Sequence, residues 1–142
     1  LACQADISSD CRDTLLMATA SGYMPVIKAV NNIYAAGGVP VGLSDCIVMD
    51  KDSREIRLRE VIAQLTRQSA ITGVSITGGH TTVSGNVTSP MVTVTAVGVR
   101  QEQRKQPQPG ESIIMTGYIG MSGIRQLIDR NSDIVQARYS DD

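Results

Sequence analysis

Apolar residues recur along this chain with two periods, and the switch between them marks out its elements. Val26, Val30, Ile33 and Tyr34 fall at i, i+4, i+7 and i+8, the spacing of one helical face. Pro25 stands where proline is tolerated, in the first turn, and Gly37-Gly38 followed by Pro40 closes the segment. Leu58, Val61, Ile62, Leu65 and Ser69 make a second stripe, with Arg57, Arg59, Glu60, Gln64 and Arg67 on its wet side. Asp52 and Glu55 have the spacing of a capping box, and Gly73 suits the residue after the last turn.

Elsewhere the period is two. Val41, Leu43, Ile47 and Met49 share one face of a strand that Asp45 interrupts, and Val92 to Val97 alternates with threonine. Val74 to Thr77 is a short β-branched run. Leu1 to Ile7 reads as a short strand, Ser8 to Gly22 as a loop with one or two irregular turns, and Ser112 to Thr116 as a short buried strand. Ile124, Leu127 and Ile128 predict a helix running to Arg130, and the stretch after it is polar. Arg100 to Gly110 is a polar, proline-broken surface connection. This order of elements predicts an α/β (α+β) domain, a mixed sheet with helices on one face.

Composition narrows the function classes. At 142 residues, 42% hydrophobic and 19% charged, the chain has the size and make-up of one globular domain. It has no Phe or Trp, so its core rests on aliphatic residues. A net charge of −1 provides no electrostatic footprint for nucleic acid or an anionic membrane. No apolar run is long enough to span a bilayer. Cys3, Cys11 and Cys46 are odd in number and form no CxxC pair, which fits reduced thiols in a cytoplasmic protein. A zinc site needs more ligands than these and the single histidine, His80.

The densest candidate chemistry is Gly78-Gly79-His80-Thr81-Thr82, directly after the β-branched run. Paired glycines let a backbone approach another group closely, so a strand-end loop presenting polar side chains is expected there. Histidine is a side chain suited to proton transfer, and His80 is the single one here. Asn31 and Asn32 stand out within a helix, where asparagine is a poor former. No GxxxxGK[ST] motif occurs, and Gly117, Gly120 and Gly123 lack the spacing of a dinucleotide fingerprint.

Three segments, in order, resemble the N-terminal domain of the aminoimidazole ribonucleotide synthase (PurM-like) superfamily. They are Lys28 to Pro40, with its Asn-Asn and Gly-Gly-Val-Pro; Ile76 to Thr82, similar to a Gly-Gly-His/Asp/Glu-Thr loop; and Pro109 to Gly117, similar to a Pro-Gly-Asp strand. Thr116 to Leu127 resembles hydrogenase maturation factor-like and synthase-related proteins, and the Gly-Gly-His variant also resembles selenophosphate synthetase.

The resemblance implies a PurM-like domain over residues 1–130, a tail or linker over 131–142, and a four-stranded sheet that pairs with a second copy to close a barrel. It implies a homodimer that binds ATP and Mg2+ and transfers phosphate to, or activates, a small oxygen-bearing substrate, without nucleic acid or membrane as partner. By position, Asp6 would be a metal ligand, His80 the catalytic group, and Asn31, Asn32, Gly78, Gly79 and Thr81 would contact the nucleotide. The chain departs from the family pattern at Asn32, where a metal-binding aspartate is usual; asparagine supplies a carbonyl oxygen but no negative charge. The family's glycine-rich leader would fall before Leu1. These departures leave a second reading open, a non-catalytic dimerisation or ligand-binding module.

Overall fold

The structure is a computed structural model that describes residues 2–4, 14–101, 107–115 and 117–139. The chain divides into two compact units, residues 1–105 and 106–142. The first contains β1 (Ala2–Gln4), β2 (Leu15–Ser21), α1 (Pro25–Ala35), β3 (Gly38–Asp50), α2 (Glu55–Thr72), β4 (Ile76–Ser84) and β5 (Met91–Arg100). The second contains α3 (Met121–Arg130) and α4 (Ser132–Tyr139).

The sheet order is β1-β2-β5-β3-β4, four long strands plus the three-residue β1 at one edge. β3 and β4 are parallel, with α2 as their crossover, and every other pair is antiparallel. Parallel neighbours need such a long connection, whereas antiparallel ones do not.

One face of this sheet is covered. Leu16, Ala18, Leu43, Ile47, Met49, Val94 and Ala96 join Val26, Ala29, Val30 and Ile33 of α1 in a single core, with Leu65 of α2. α1 packs on β2, β3 and β5, and α2 packs on α1. Helix and sheet approach closely because glycine occupies the contact. A Cβ added to Gly98 would lie 2.5 Å from Ile33 Cγ2 and 2.8 Å from the Val39 carbonyl oxygen.

Several expectations change. Leu15–Ser21 is a strand, not part of a loop: its buried positions are Leu16 and Ala18, and Ala is too small to announce an apolar face. Tyr34 is exposed and Ala29 takes its place in the buried stripe of α1. A register shift between Pro40 and Gly42 turns Val41 out to solvent, because a bulge adds a residue to one strand and breaks the alternation. On α2, Leu65 and Gln68 are buried while Ile62 is exposed. The segment 111–115 forms no strand and Ile113 is fully exposed, while 132–139 is helical rather than a plain polar tail.

The capping box is also displaced. α2 begins after Arg54, whose side chain makes no cap bond, and the turn before it is held by Asp50 instead. Asp50 Oδ1 accepts from the Asp52 amide at 3.2 Å and Oδ2 from the Ser53 hydroxyl at 2.5 Å. The Ser53 bond, above all, holds the Asp50 carboxyl below its ordinary value. A lowered carboxyl pKa stabilises the fold above the unfolded-state value, and the contribution disappears as pH falls through the folded-state value. Ser53→Ala is therefore expected to raise the Asp50 pKa toward that of a free aspartate, measured by NMR titration of its side-chain carboxyl.

Candidate functional site

β4 runs without interruption through Gly78-Gly79-His80-Thr81-Thr82. The expected loop is thus a strand at the sheet edge, and adjacent side chains of a strand leave opposite faces. In register with β3, the pairs are Ser44 with Gly78, Asp45 with Gly79, Cys46 with His80, Ile47 with Thr81 and Val48 with Thr82. Gly79 and Thr81 therefore lie on the helix-covered side with Asp45, while Gly78 and His80 lie on the uncovered side with Ser44 and Cys46. His80 and Thr81 are divided between the two faces.

Asp45 is the residue that the sequence reading passed over as an interruption. Its neighbour on β5 is Val94, fully buried under α1, so a carboxylate turning that way would lose its hydration. Instead it lies across β4 at Gly79. A Cβ added to Gly79 would run into Asp45 Oδ1 and come within 2.8 Å of Cγ and of the Asp45 carbonyl oxygen. Gly79 is thus a cradle that Asp45 fills. The signal available in the sequence was the pair itself, one acid on an apolar face and a glycine in the next strand, but their register was not readable.

The other sequence candidates are dispersed. Asn31 is exposed and Asn32 half-buried on α1, which packs on β2, β3, β5 and α2. His80 is exposed, as are Gly78, Gly79 and Thr81. Asp6 lies outside the described residues. Among the described residues no three of His, Cys, Asp and Glu are grouped closely enough to hold a metal ion. What is present is one carboxylate, Asp45, with the Thr81 hydroxyl farther along the same side of β4. Mg2+ is typically held by one or two carboxylates, waters and the phosphates of its nucleotide, not by an all-protein cage. The cradle fits a cation delivered with a nucleotide, which would supply charge neutralisation of the phosphates.

The uncovered face divides in two. Leu15, Met17 and Val39 are exposed there beside half-buried Val97 and Val99, with Leu15, Val99 and Val39 in one row. Thr19 and Thr95 share a hydroxyl–hydroxyl bond of 3.0 Å farther along, next to Ser44 and Thr93. Among the described residues no helix is long and apolar enough to cross a membrane.

This sheet, with α1 and α2 on one face and a glycine-rich edge strand, defines the class. Residues 4–100 match the family model described as AIR synthase related protein, N-terminal domain, and the chain belongs to that family. It is 29% identical over 115 residues to carbamoyl dehydratase HypE of Rhodobacter capsulatus, covering 77% of this chain and 34% of that protein. The chain spans about a third of the length of the curated relatives it matches. Among solved structures, hydrogenase maturation protein HypE in complex with ATP superimposes with a TM-score of 0.58 at 21% identity, over 70% of this chain and 33% of that one. T. maritima PurL complexed with ATP does so at 0.59 and 17%, over 70% and 20%. These likenesses establish the PurM-like fold.

Proposed function

We propose that this domain binds ATP together with Mg2+ and supports phosphoryl transfer to, or activation of, a small oxygen-bearing substrate. The observation that carries the reading is the family match over residues 4–100, supported by two fold neighbours solved with ATP. In such chemistry the protein contributes position and charge rather than a covalent intermediate. Gly78 leaves the β4 backbone open to close approach, Gly79 admits the Asp45 carboxylate, Thr81 offers a hydroxyl to a phosphate oxygen, and His80 stands on the other face for proton transfer. Asn31 and Asn32 contribute neutral amide groups, and Asp6 an acid.

The second reading, a binding and dimerisation module without catalysis, is favoured by Asn32 at the position of the usual metal-binding aspartate. Calorimetric titration with ATP, with and without Mg2+, separates the two. Mg2+-dependent binding by the parent chain is the expected result. Binding by Asn32→Asp alone favours the module, and no binding by either chain overturns the nucleotide reading.

A homodimer is part of this proposal. The apolar part of the uncovered face, centred on Met17 and Val97, has the character of a surface that packs on a second sheet, about 10 Å away. Met17→Lys is expected to shift the sedimentation-derived mass from dimer to monomer while leaving the far-UV spectrum unchanged. An unaltered mass places the interface elsewhere.

A further inference from the structure

Asp45 is used by neither the core nor the sequence-derived site, yet the fold makes room for it. It is the acid of β3 on the helix-covered side, next to fully buried Val94. Its carboxylate occupies the volume that any side chain at position 79 would need. Seen from β4, an acidic group stands where residue 79 would present one, although residue 79 is glycine.

We propose that Asp45 supplies, from the neighbouring strand, a carboxylate for the divalent cation that accompanies the nucleotide, and that Gly79 is retained to admit it. The inference rests on the nucleotide reading above. Two features of the molecule support it beyond the cradle. Asp45 is half-buried, and Gly79, over which its carboxylate lies, is on the edge strand β4 and open to solvent. The α1 segment carries no carboxylate, its polar side chains being Lys28, Asn31, Asn32 and Tyr34, so a cation held there would lack the charge that a carboxylate provides. Since the described residues offer no three-ligand cluster, Asp45 acts jointly with phosphate oxygens: the cation binds tightly with nucleotide and poorly without it.

The cradle also sets an isosteric test. Asp45→Asn keeps the shape that fills the space over Gly79 and removes only the charge, so it separates the carboxylate from its packing. Mn2+ serves as the probe, its free fraction read by electron paramagnetic resonance on the full chain, with and without ATP. The parent chain is expected to take up Mn2+ only when ATP is present. Asp45→Asn and Asp45→Ala should each weaken that uptake about tenfold or more. Circular dichroism of each variant confirms that the comparison is between folded chains.

Undiminished Mn2+ uptake in a folded Asp45→Ala chain overturns the inference and leaves the nucleotide reading standing. It would make Asp45 an acid that merely escapes the core over a glycine. Loss in Asp45→Ala with undiminished uptake in Asp45→Asn also overturns it, since packing and not charge would then be responsible. If the parent chain takes up no Mn2+ with ATP, the nucleotide reading itself fails, and the inference with it.

Discussion

Ile33→Ala is expected to lower the stability of the first unit by about 3–4 kcal/mol, the cost of a cavity under a fully buried side chain. For a unit of this size that corresponds to a fall in Tm of about 10–20 °C, read by thermal denaturation. Ile33 is the knob of the α1–sheet contact, and Gly38 and Gly98 are its socket. A Cβ at Gly38 would meet Leu16 Cδ1, the far end of a flexible side chain, whereas one at Gly98 would meet the Val39 carbonyl oxygen, which cannot rotate away. Gly98→Ala should therefore cost about 2–3 kcal/mol and Gly38→Ala about 1 kcal/mol. The two-residue cycle tests the socket directly. Gly98→Ala should cost less in the Ile33→Ala background, because one of its two clashes is gone. Equal costs in both backgrounds would show that Ile33 does not seat against Gly98.

The second large effect concerns the start of α1. Met24 precedes it in the left-handed region, at φ 50°, and provides no side-chain cap. Pro25 has no amide hydrogen, and the Val26 amide donates instead to Gln68 Oε1 of α2 at 3.2 Å, in a buried position. One amide of the first turn of α1 is thus satisfied by the C-terminal part of α2. Gln68→Met keeps the unbranched shape but removes the acceptor, leaving the Val26 N–H buried without a partner. The expected loss is about 1–3 kcal/mol, with a matching shift of the urea midpoint at unchanged m-value. No shift of the midpoint would mean that water replaces Gln68 at no cost.

Both variants lie away from Asp45 and Gly79, and so separate damage to the scaffold from damage to the site. Nucleotide binding that falls only in proportion to the unfolded fraction is the result expected of each.

Much of the architecture was readable from local signals. Pro25 and the Gly37-Gly38 pair bracket α1, and Gly73 closes α2 in the left-handed conformation at φ 69°. The alternation of Val92 to Val97 is that of a strand buried on one face. Signals of this kind survive without tertiary context because glycine and proline restrict the backbone directly, and because a period of two or 3.6 is a property of the chain alone. Two of the segments that pointed to the family, Lys28 to Pro40 and Ile76 to Thr82, fall within residues 4–100, which match it.

Other features had no local signature. Leu15–Ser21 became a strand through pairing with β5 on one side and β1 on the other, contacts 76 residues distant in the case of Thr19 and Thr95. Glycine-rich Gly78 to Thr82 became an edge strand because parallel pairing with β3 satisfies its backbone, overriding glycine's preference for a loop. Val41 left its face through a bulge that no count of residues reveals.

The site divides along the same line. The amino-acid sequence by itself determined which chemical groups are available: one histidine, two helix asparagines, a glycine pair with hydroxyls after it, and an acid on an apolar strand. Only the tertiary structure decided which of them meet. Strand formation sent His80 and Thr81 to opposite faces, and register laid Asp45 over Gly79, because cross-strand neighbours are chosen by pairing between distant segments, and a shift of one residue would exchange every face.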